Sequence, residues 1–433
     1  MPFAGLDLHQ KMVEAVIVDD DGRLLVNQRF PATRAALEAF ARRHLAGCAV
    51  ALEATCNTWP VAGVIEPWVA EVVISNPMRT RAIASAKIKT DRVDATVLAH
   101  LLRLDYLPRV WRPDAETQTL RRQTTERANL VADRTRIKNR IHAVLHQRLI
   151  EAPVGDLFSP RNLKCLAALK LDDHGRQSLD RHLRQLAAVE AELALLEARL
   201  AHEAYRDPRA KLLMTLPGVD VAVAEALLAA LGEIDRFPDG NRAAAYLGLV
   251  PSTYQSGEHC YHGHITKQGR SHARWLLVQA AQHLDRNLGP LGVFFRRIAR
   301  KKNRNVAVVA TARKLVTIAW HMLKHNQPYR YAQPQTVQAK FDRLRLRVTG
   351  KRRKTGAAKG SPRSAAYGTG QGTRAVPALD SLYAAEQLPP LAAPGLGERN
   401  MLEIHGVTSF AAAIHQACRV PRGKTKPQPQ TAE

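Results

Sequence analysis

Phe3-Ala4-Gly5-Leu6-Asp7-Leu8 is an apolar run interrupted by one carboxylate. Residues 2–8, 12–18 and 23–30 read as three strands, and Asp20-Asp21-Gly22 supplies a hairpin turn between the second and third. Residues 33–45 then predict an amphipathic helix with Leu37, Phe40 and Leu45 on its apolar side. Residues 48–54 form an apolar strand ending at Glu53, and Asn57 and Thr58 are good caps for the helix after it. Residues 70–75 give another strand, stopped by Asn76-Pro77. Thr90 caps a helix through Asp91, Asp94, Leu98, Leu101 and Leu102. Three strands followed by alternating helices and strands predict an α/β domain over residues 1–110.

The rest of the chain is of another character. Residues 111–206 read as two helical stretches. The first, over 115–150, has Leu120, Leu130, Ile137, Ile141 and Val144 on one side and is rich in arginine, with Arg136, Lys138 and Arg140 among its charges. A solvated charged helix accounts for it as well as a helix lying along a nucleic-acid backbone does. The second carries Leu179, Leu186, Leu193 and Leu200 at seven-residue spacing, a coiled-coil pattern of about three heptads. An antiparallel partner within the chain and a second copy of the chain compete for that seam. Residues 207–332 predict a second, mainly helical domain. Residues 333–433 are expected to be a largely disordered basic tail, since residues 340–433 hold 16 Lys and Arg against 6 Asp and Glu, with a run Lys351-Arg352-Arg353-Lys354 heading a Gly-, Ala-, Ser- and Pro-rich stretch.

Charge narrows the partners. Across 433 residues Lys and Arg outnumber Asp and Glu by 64 to 39, a formal net charge of +25. That balance points to nucleic acid or another anionic surface. The sequence shows no apolar run of the roughly 18 residues that span a bilayer and no signal-peptide pattern, so no membrane partner is expected. Five scattered cysteines, never spaced C-x-x-C, read as reduced thiols of a cytoplasmic, nucleoid-associated protein.

Within so basic a chain, four acids stand out. Asp7 and Glu53 end neighbouring strands, and Asp91 and Asp94 share one face of a helix at i, i+3. Together they would repel one another unless one or two divalent cations held them, Mg²⁺ foremost with Mn²⁺ as substitute. Taken alone, Asp-x-x-Asp at a helix start is also an ordinary dipole and capping pattern. The basic flanks Lys87, Lys89 and Arg92 favour a site that works on a polyanion.

A second dense stretch runs from Tyr246 to Arg274. Ser256-Gly257 sets a hydroxyl beside flexible backbone, and Lys267, Arg270 and Arg274 could surround a phosphate. From spacing alone a turn serine with surface basics explains it. The run from His259 to His264 lacks a second ligand pair at finger-like spacing, so alternating polar residues in a hairpin explain it better than zinc does. Leu216-Pro217-Gly218-Val219 is similar to the hairpin of a helix-hairpin-helix module, but Asp220 stands where a phosphate-gripping module has glycine, which leaves it a structural role.

In this order, the two motif blocks resemble the DEDD-type transposases of insertion sequences, the IS110 family of bridge-RNA-guided recombinases, over residues 3 to about 331. The resemblance implies a RuvC-like, RNase H-fold domain whose DEDD acids are Asp7, Glu53, Asp91 and Asp94, followed by a transposase domain whose catalytic serine is Ser256 and whose Ile-Thr-Lys-x-Gly pattern is Ile265 to Gly269. It implies a dimer or tetramer in which the serine of one protomer meets the carboxylates of another. It also implies a covalent phosphoserine intermediate and a structured RNA that pairs with donor and target DNA. A metal-dependent nuclease of the junction-resolvase type would use the same acids with Ser256 structural. A non-catalytic nucleic-acid-binding protein would need neither.

Overall fold

The structure, a computed structural model, describes residues 1–84, 90–151, 155–350 and 373–421. It divides into two compact units, Met1–Pro113 and Asp114–Glu433.

In the first unit, β1 (Phe3–Leu8), β2 (Met12–Val18) and β3 (Leu24–Pro31) form an antiparallel meander, as the strand spacing predicts. Two further strands, β4 (Ala49–Glu53) and β5 (Glu71–Ser75), add in parallel on the other side of β1, so the sheet order is β3-β2-β1-β4-β5. The sheet alternates at period two and buries both faces. Ala4, Leu6 and Leu8 pack with Leu37, Phe40, Val61 and Ile65 of α1 (Arg34–His44) and α2 (Thr58–Ile65). On the opposite face, Ala49, Ala51 and Val73 meet Leu98, Leu101 and Leu102 of α4 (Asp91–Arg103). A short helix, α3 (Pro77–Ile83), starts at the Asn76 cap between β5 and α4.

The closeness of α4 to the sheet depends on Gly5. A β-carbon there would stand 2.0 Å from the Ala95 carbonyl oxygen and 2.7 Å from the Ala99 nitrogen. Only a bare backbone lets this helix lie against the middle of β1.

The second unit opens with α5 (Ala115–His146) and α7 (Asp173–Arg206), joined through a short α6 (Pro160–Ala167). They pack antiparallel within the chain, so an intrachain partner covers part of the heptad seam. Leu179, Leu186, Leu193 and Leu200 are all buried, and ion pairs run down the join: Arg127–Glu197 at 2.6 Å, Lys138–Glu190 at 3.6 Å and Arg148–Asp172 at 2.6 Å. Part of the positive charge on and just after α5 is therefore met by acids of its partner helix, while Arg136 and Arg140 stay exposed.

Beyond lie α8 (Pro208–Met214), α9 (Val221–Leu231), α10 (Gly240–Tyr246), the hairpin β6 (Pro251–Ser256) and β7 (His259–Ile265), then α11 (Ser271–Ala281), α12 (Pro290–Lys301), α13 (Arg304–His325) and α14 (Pro334–Thr349). Among the described helices α13 alone is long and apolar enough to cross a membrane. Here its Ala307, Leu315, Val316 and Ala319 belong to the core of the unit.

Buried α9 carries Glu225, which is 2% exposed. Burial first, then the carboxylates of Asp207 and Glu203, push its carboxyl up to about 8. The unfolded chain gives up that proton near the ordinary glutamate value of 4.5, whereas the folded chain holds it to about 8. The folded state thus binds more protons across this window, and stability falls as pH rises through it. Glu225→Gln is expected to exceed the parent in stability by roughly 1–3 kcal/mol at about pH 8 and to match it at about pH 4. Denaturant melts at the two pH values check this.

For the described residues 334–350 and 373–421 the expected disorder is corrected by the structure. Besides α14, the segment forms β8 (Thr373–Val376), α15 (Leu379–Ala385), α16 (Leu396–Ile404), α17 (Thr408–Ala413) and β9 (Cys418–Pro421), with β8 and β9 paired antiparallel. Leu379, Leu382, Tyr383, Leu402, Val407 and Ile414 join the same core as α9 and α13. The basic, glycine-rich composition that suggested disorder is concentrated before β8, and the basic run Lys351 to Lys354 lies outside the described residues.

Candidate functional site

At the end of β1 the alternation puts Gly5 and Asp7 on the face covered by α4. Pairing of β1 with β4 runs to Leu6 opposite Leu52, so Asp7 and Glu53 are the next residues on adjacent parallel strands, and Glu53 continues the α4-facing series Ala49 and Ala51. Thr90 caps α4 by accepting from the Val93 amide at 3.3 Å, which fixes Asp91 and Asp94 in its first turn. Because α4 touches β1 at Gly5, this first turn overhangs the end of the strand.

The side chains of Asp7 and Asp91 converge accordingly around His9, while Glu53 and Asp94 are not part of that cluster. His9 Nε2 lies 2.9 Å from Asp7 Oδ2 and 3.1 Å from Asp91 Oδ1, and one ligand atom from each of the three residues falls within 4.8 Å of the others. Arg29 approaches Asp91 at 3.6 Å. Burial raises the Asp7 carboxyl above its ordinary range; His9 lowers it, and the carboxylates of Asp94 and Asp91 raise it again. A cation bound between these carboxylates would offset both the burial and the smaller mutual repulsion. The donor set is dominated by carboxylate oxygens, which fit Mg²⁺ or Mn²⁺, and His9 could add a nitrogen. Among the described residues no other cluster of His, Cys, Asp and Glu gathers this way.

Sequence reading missed three members of this region. His9 stands two residues past Asp7. Arg29 comes from β3, and nothing local marks it. Glu14 pairs directly with Asp7 across β1 and β2, on the face where Val16 and Val18 meet Ala95 and Ala99 of α4. It is only 9% exposed. With its nitrogen turned toward Glu14, the Asn27 amide donates to Glu14 Oε1 at 2.9 Å and accepts from Arg92 Nε at 3.1 Å. A glutamate inside the apolar run Met12 to Val18 was the available signal. Lys87 and Lys89 lie outside the described residues.

In the second unit Ser256 ends β6 and is exposed. Gly257 and Glu258 form a two-residue turn, with Gly257 at φ +59°, a conformation that favours glycine at the first central position. His259 stands directly opposite Ser256 in register, and Tyr254 opposite Tyr261.

The base of this ribbon is fixed by backbone contact. A β-carbon at Gly248 would meet the Gln268 oxygen at 2.4 Å, and one at Gly269 the Tyr246 oxygen at 2.1 Å. Arg274 donates to the Leu247 oxygen at 3.0 Å and the Gln268 oxygen at 2.9 Å, so it clasps the two loops. Lys267 takes a left-handed backbone at φ +54°. Arg270 is half-buried; burial first, then nearby Arg121, push its guanidinium down to about 10. Arg136 is exposed beside Asp133, Arg140 is exposed, and Lys138 turns to Glu190 and the Phe158 ring.

The Leu216 to Val219 turn is internal. Leu216 and Val219 are buried, Gly218 lies against the Ala280 backbone, Asp220 caps α9 by accepting from the Val223 amide at 3.2 Å, and Lys340 donates to the Met214 oxygen at 2.8 Å. Cys260 and His262 sit on an exposed ribbon 3.9 Å apart, with no further ligand beside them among the described residues.

Comparison with known proteins fits these two regions. Residues 4–149 match the DEDD domain of IS110 type, described as "Transposase", and residues 210–289 match "Transposase IS116/IS110/IS902 family". The chain belongs to the IS110/IS116 transposase family. Both regions described above fall within the matched segments. The chain is 25% identical to a "Probable family 20 transposase" of Pseudomonas aeruginosa over 334 residues, covering 75% of this chain and 98% of that one. It is 25% identical to the transposase for insertion sequence element IS1328 of Yersinia enterocolitica, over 73% of this chain and 95% of the relative. A "Pilin gene-inverting protein" of Moraxella bovis is 26% identical over 60% of this chain and 74% of its own length. The chain is thus a transposase, an enzyme that acts on DNA.

Proposed function

We propose that this transposase cuts and rejoins DNA through Ser256 as nucleophile and a Mg²⁺-binding DEDD site made of Asp7, Glu53, Asp91 and Asp94. The observation that carries the reading is the convergence of Asp7 and Asp91 at the end of β1, where Gly5 admits α4. The sheet order β3-β2-β1-β4-β5, three antiparallel strands then two parallel ones, supports a RuvC-like fold for residues 1–110.

Bound there, Mg²⁺ or Mn²⁺ would supply charge stabilisation to the attacking and leaving oxygens. The protein's own groups do the rest. Asp7, Asp91, Asp94 and Glu53 would hold that cation. Ser256, exposed at the tip of its ribbon, attacks phosphorus: its Oγ–P bond forms as the bond from phosphorus to one sugar oxygen breaks, the serine proton is given up and the sugar oxygen leaves as a hydroxyl, so the bond energy is conserved as a phosphoserine ester. Lys267 and Arg270 face phosphate charge, while Arg274 holds their loop in place. Arg92, Arg136 and Arg140 contribute phosphate contacts that carry no sequence information.

An exposed serine with no carboxylate cluster on its own ribbon suits a site completed by a second protomer. Sequence choice then falls to a structured RNA that pairs with donor and target DNA, which leaves the protein to bind backbone and shape. RNA that co-purifies with the protein and matches DNA flanking its gene is the expected finding.

The decisive experiment compares Ser256→Ala with Asp91→Asn on DNA in Mg²⁺. Both are expected to lose the covalent protein–DNA adduct, seen as a denaturant-stable band shift. Mixing the two dead proteins is expected to restore adduct formation, because one mixed site keeps both intact halves. If Ser256→Ala still cleaves like the parent while Asp91→Asn does not, the chain is a metal-dependent nuclease and Ser256 is structural.

A further inference from the structure

Aromatic residues make up only 5% of this chain, and the ribbon β6–β7 exposes two of them. Tyr254 is 67% exposed and Tyr261 is 68% exposed. They are partners in register, so both rings leave the same face of the ribbon, with β-carbons about 5 Å apart. Among the described residues neither side chain makes a hydrogen bond or a ring contact.

That face is also the face of Ser256. Residues i and i+2 of a strand point the same way, so Tyr254 lies about 7 Å along the strand from the serine. This is close to the step between successive nucleotides in an extended single strand. Ser256 is paired with His259 and Tyr254 with Tyr261, so one surface carries a hydroxyl at its tip and an aromatic pair one nucleotide step behind it.

Leaving two large rings in water at the end of a two-stranded ribbon gains the fold nothing. Packed against the unit, they would have buried apolar area as Tyr329 and Tyr383 do in its core. The foot of the ribbon is fixed by the Gly248 and Gly269 contacts and the Arg274 clasp, so the rings are carried on an anchored hairpin.

We infer that Tyr254 and Tyr261 form a stacking platform for an unpaired DNA base next to the phosphate that Ser256 attacks. The occupant is a nucleobase because its flat face matches an exposed phenol ring, because the protein carries a formal charge of +25, and because Lys267 lies at the foot of the same hairpin. Stacking of this kind tolerates any base, which suits a protein that need not read sequence itself. The tyrosines act by positioning: they hold the strand so that the phosphorus comes within reach of the serine. This inference rests on Ser256 being the nucleophile, and its test keeps the two apart.

The test uses full-length protein in a Ser256→Ala background, which prevents covalent trapping. The probe is a single-stranded oligothymidylate carrying one 2-aminopurine. The parent background is expected to bind it and quench its fluorescence. Tyr254→Ala and Tyr261→Ala are each expected to weaken binding on the order of 10-fold and to relieve the quenching, while Tyr254→Phe and Tyr261→Phe retain both. Unchanged thermal midpoints show that the exposed ribbon still folds. With Ser256 restored, the alanine variants are expected to slow adduct formation and the phenylalanine variants to keep the parental rate. Parental binding and quenching in both alanine variants would overturn the platform even if Ser256 forms its adduct. Quenching by an RNA oligonucleotide but not by DNA would overturn it as well, and so would loss of self-association with DNA binding unchanged, which would give the patch to a second copy. An aromatic-dependent quench in a protein that forms no adduct would remove the serine assignment and leave the stacking surface standing.

Discussion

Gly5→Val is expected to abolish divalent-metal binding and DNA cleavage together, although residue 5 touches neither. Valine favours strands, so local propensity does not oppose the change. The obstruction is the helix above. A β-carbon at this position would stand 2.0 Å from a backbone oxygen and 2.7 Å from a backbone nitrogen of α4, and backbone in mid-helix cannot swing aside as a side-chain tip can. The helix must lift or tilt. Overpacking of a core typically costs about 1–3 kcal/mol and more where backbone is displaced, against a whole-domain stability of roughly 5–15 kcal/mol.

The chemical consequence exceeds the energetic one. Asp91 reaches His9 at 3.1 Å, beside Asp7, only because α4 rides on Gly5 one turn further along. A shift of an ångström or more parts the ligands. Gly63 in α2 makes a matched control, because a β-carbon there meets nothing within 4 Å. Gly63→Ala is expected to leave function intact and to add roughly 0.5–1 kcal/mol of stability. Mn²⁺ titration by electron paramagnetic resonance, with thermal melts of both variants, decides it. Parental Mn²⁺ binding by a folded Gly5→Val protein would show that α4 does not gather this site.

How much of this was legible follows from which signals are local. Strands β1 to β3 could be read because side chains alternate and Asp20-Asp21-Gly22 can only turn. Asp91 and Asp94 could be read because a Thr90 cap fixes the helical phase of the residues after it. Gly5 read only as one residue of a strand, since its meaning lies in a helix some 90 positions away. His9 and Arg29 were silent for a related reason, since each enters through cross-strand or strand-to-helix placement, whereas Glu14 left one signal, a carboxylate inside an apolar strand. The free charge of this stretch was only partly legible, because Arg127, Lys138 and Arg148 pair with Glu197, Glu190 and Asp172 of the antiparallel helix and its cap. The Ser256 ribbon was legible as a hairpin, but the sharing of one face by Ser256, Tyr254 and Tyr261 required the register.

The region after residue 333 gave the largest misreading, and it supports the second strong prediction. A chain ending at residue 333 is expected to lose the cooperative fold of the second unit and to accumulate as insoluble protein. The matched transposase segments end at residue 289, so family resemblance alone would allow the cut. Packing forbids it. Val337, Phe341 and Leu344 of α14 and Leu379, Leu382 and Tyr383 of α15 are each no more than 5% exposed and sit in the core that holds α9, α11 and α13. Burial of one such side chain contributes about 1.5–3 kcal/mol, so losing six removes on the order of 10 kcal/mol, comparable with the stability of a whole domain. Polar bonds go with them. Lys340 leaves the Met214 carbonyl at the helical hairpin, and Tyr383 no longer donates to the Tyr329 oxygen at 2.7 Å. A chain ending at residue 421 keeps every one of these groups and is expected to melt like the parent. Comparing soluble yield and calorimetric melts of the two truncations separates a structural tail from a dispensable one. A chain ending at residue 333 that melted at the parental midpoint would return this segment to the role of a loose basic extension.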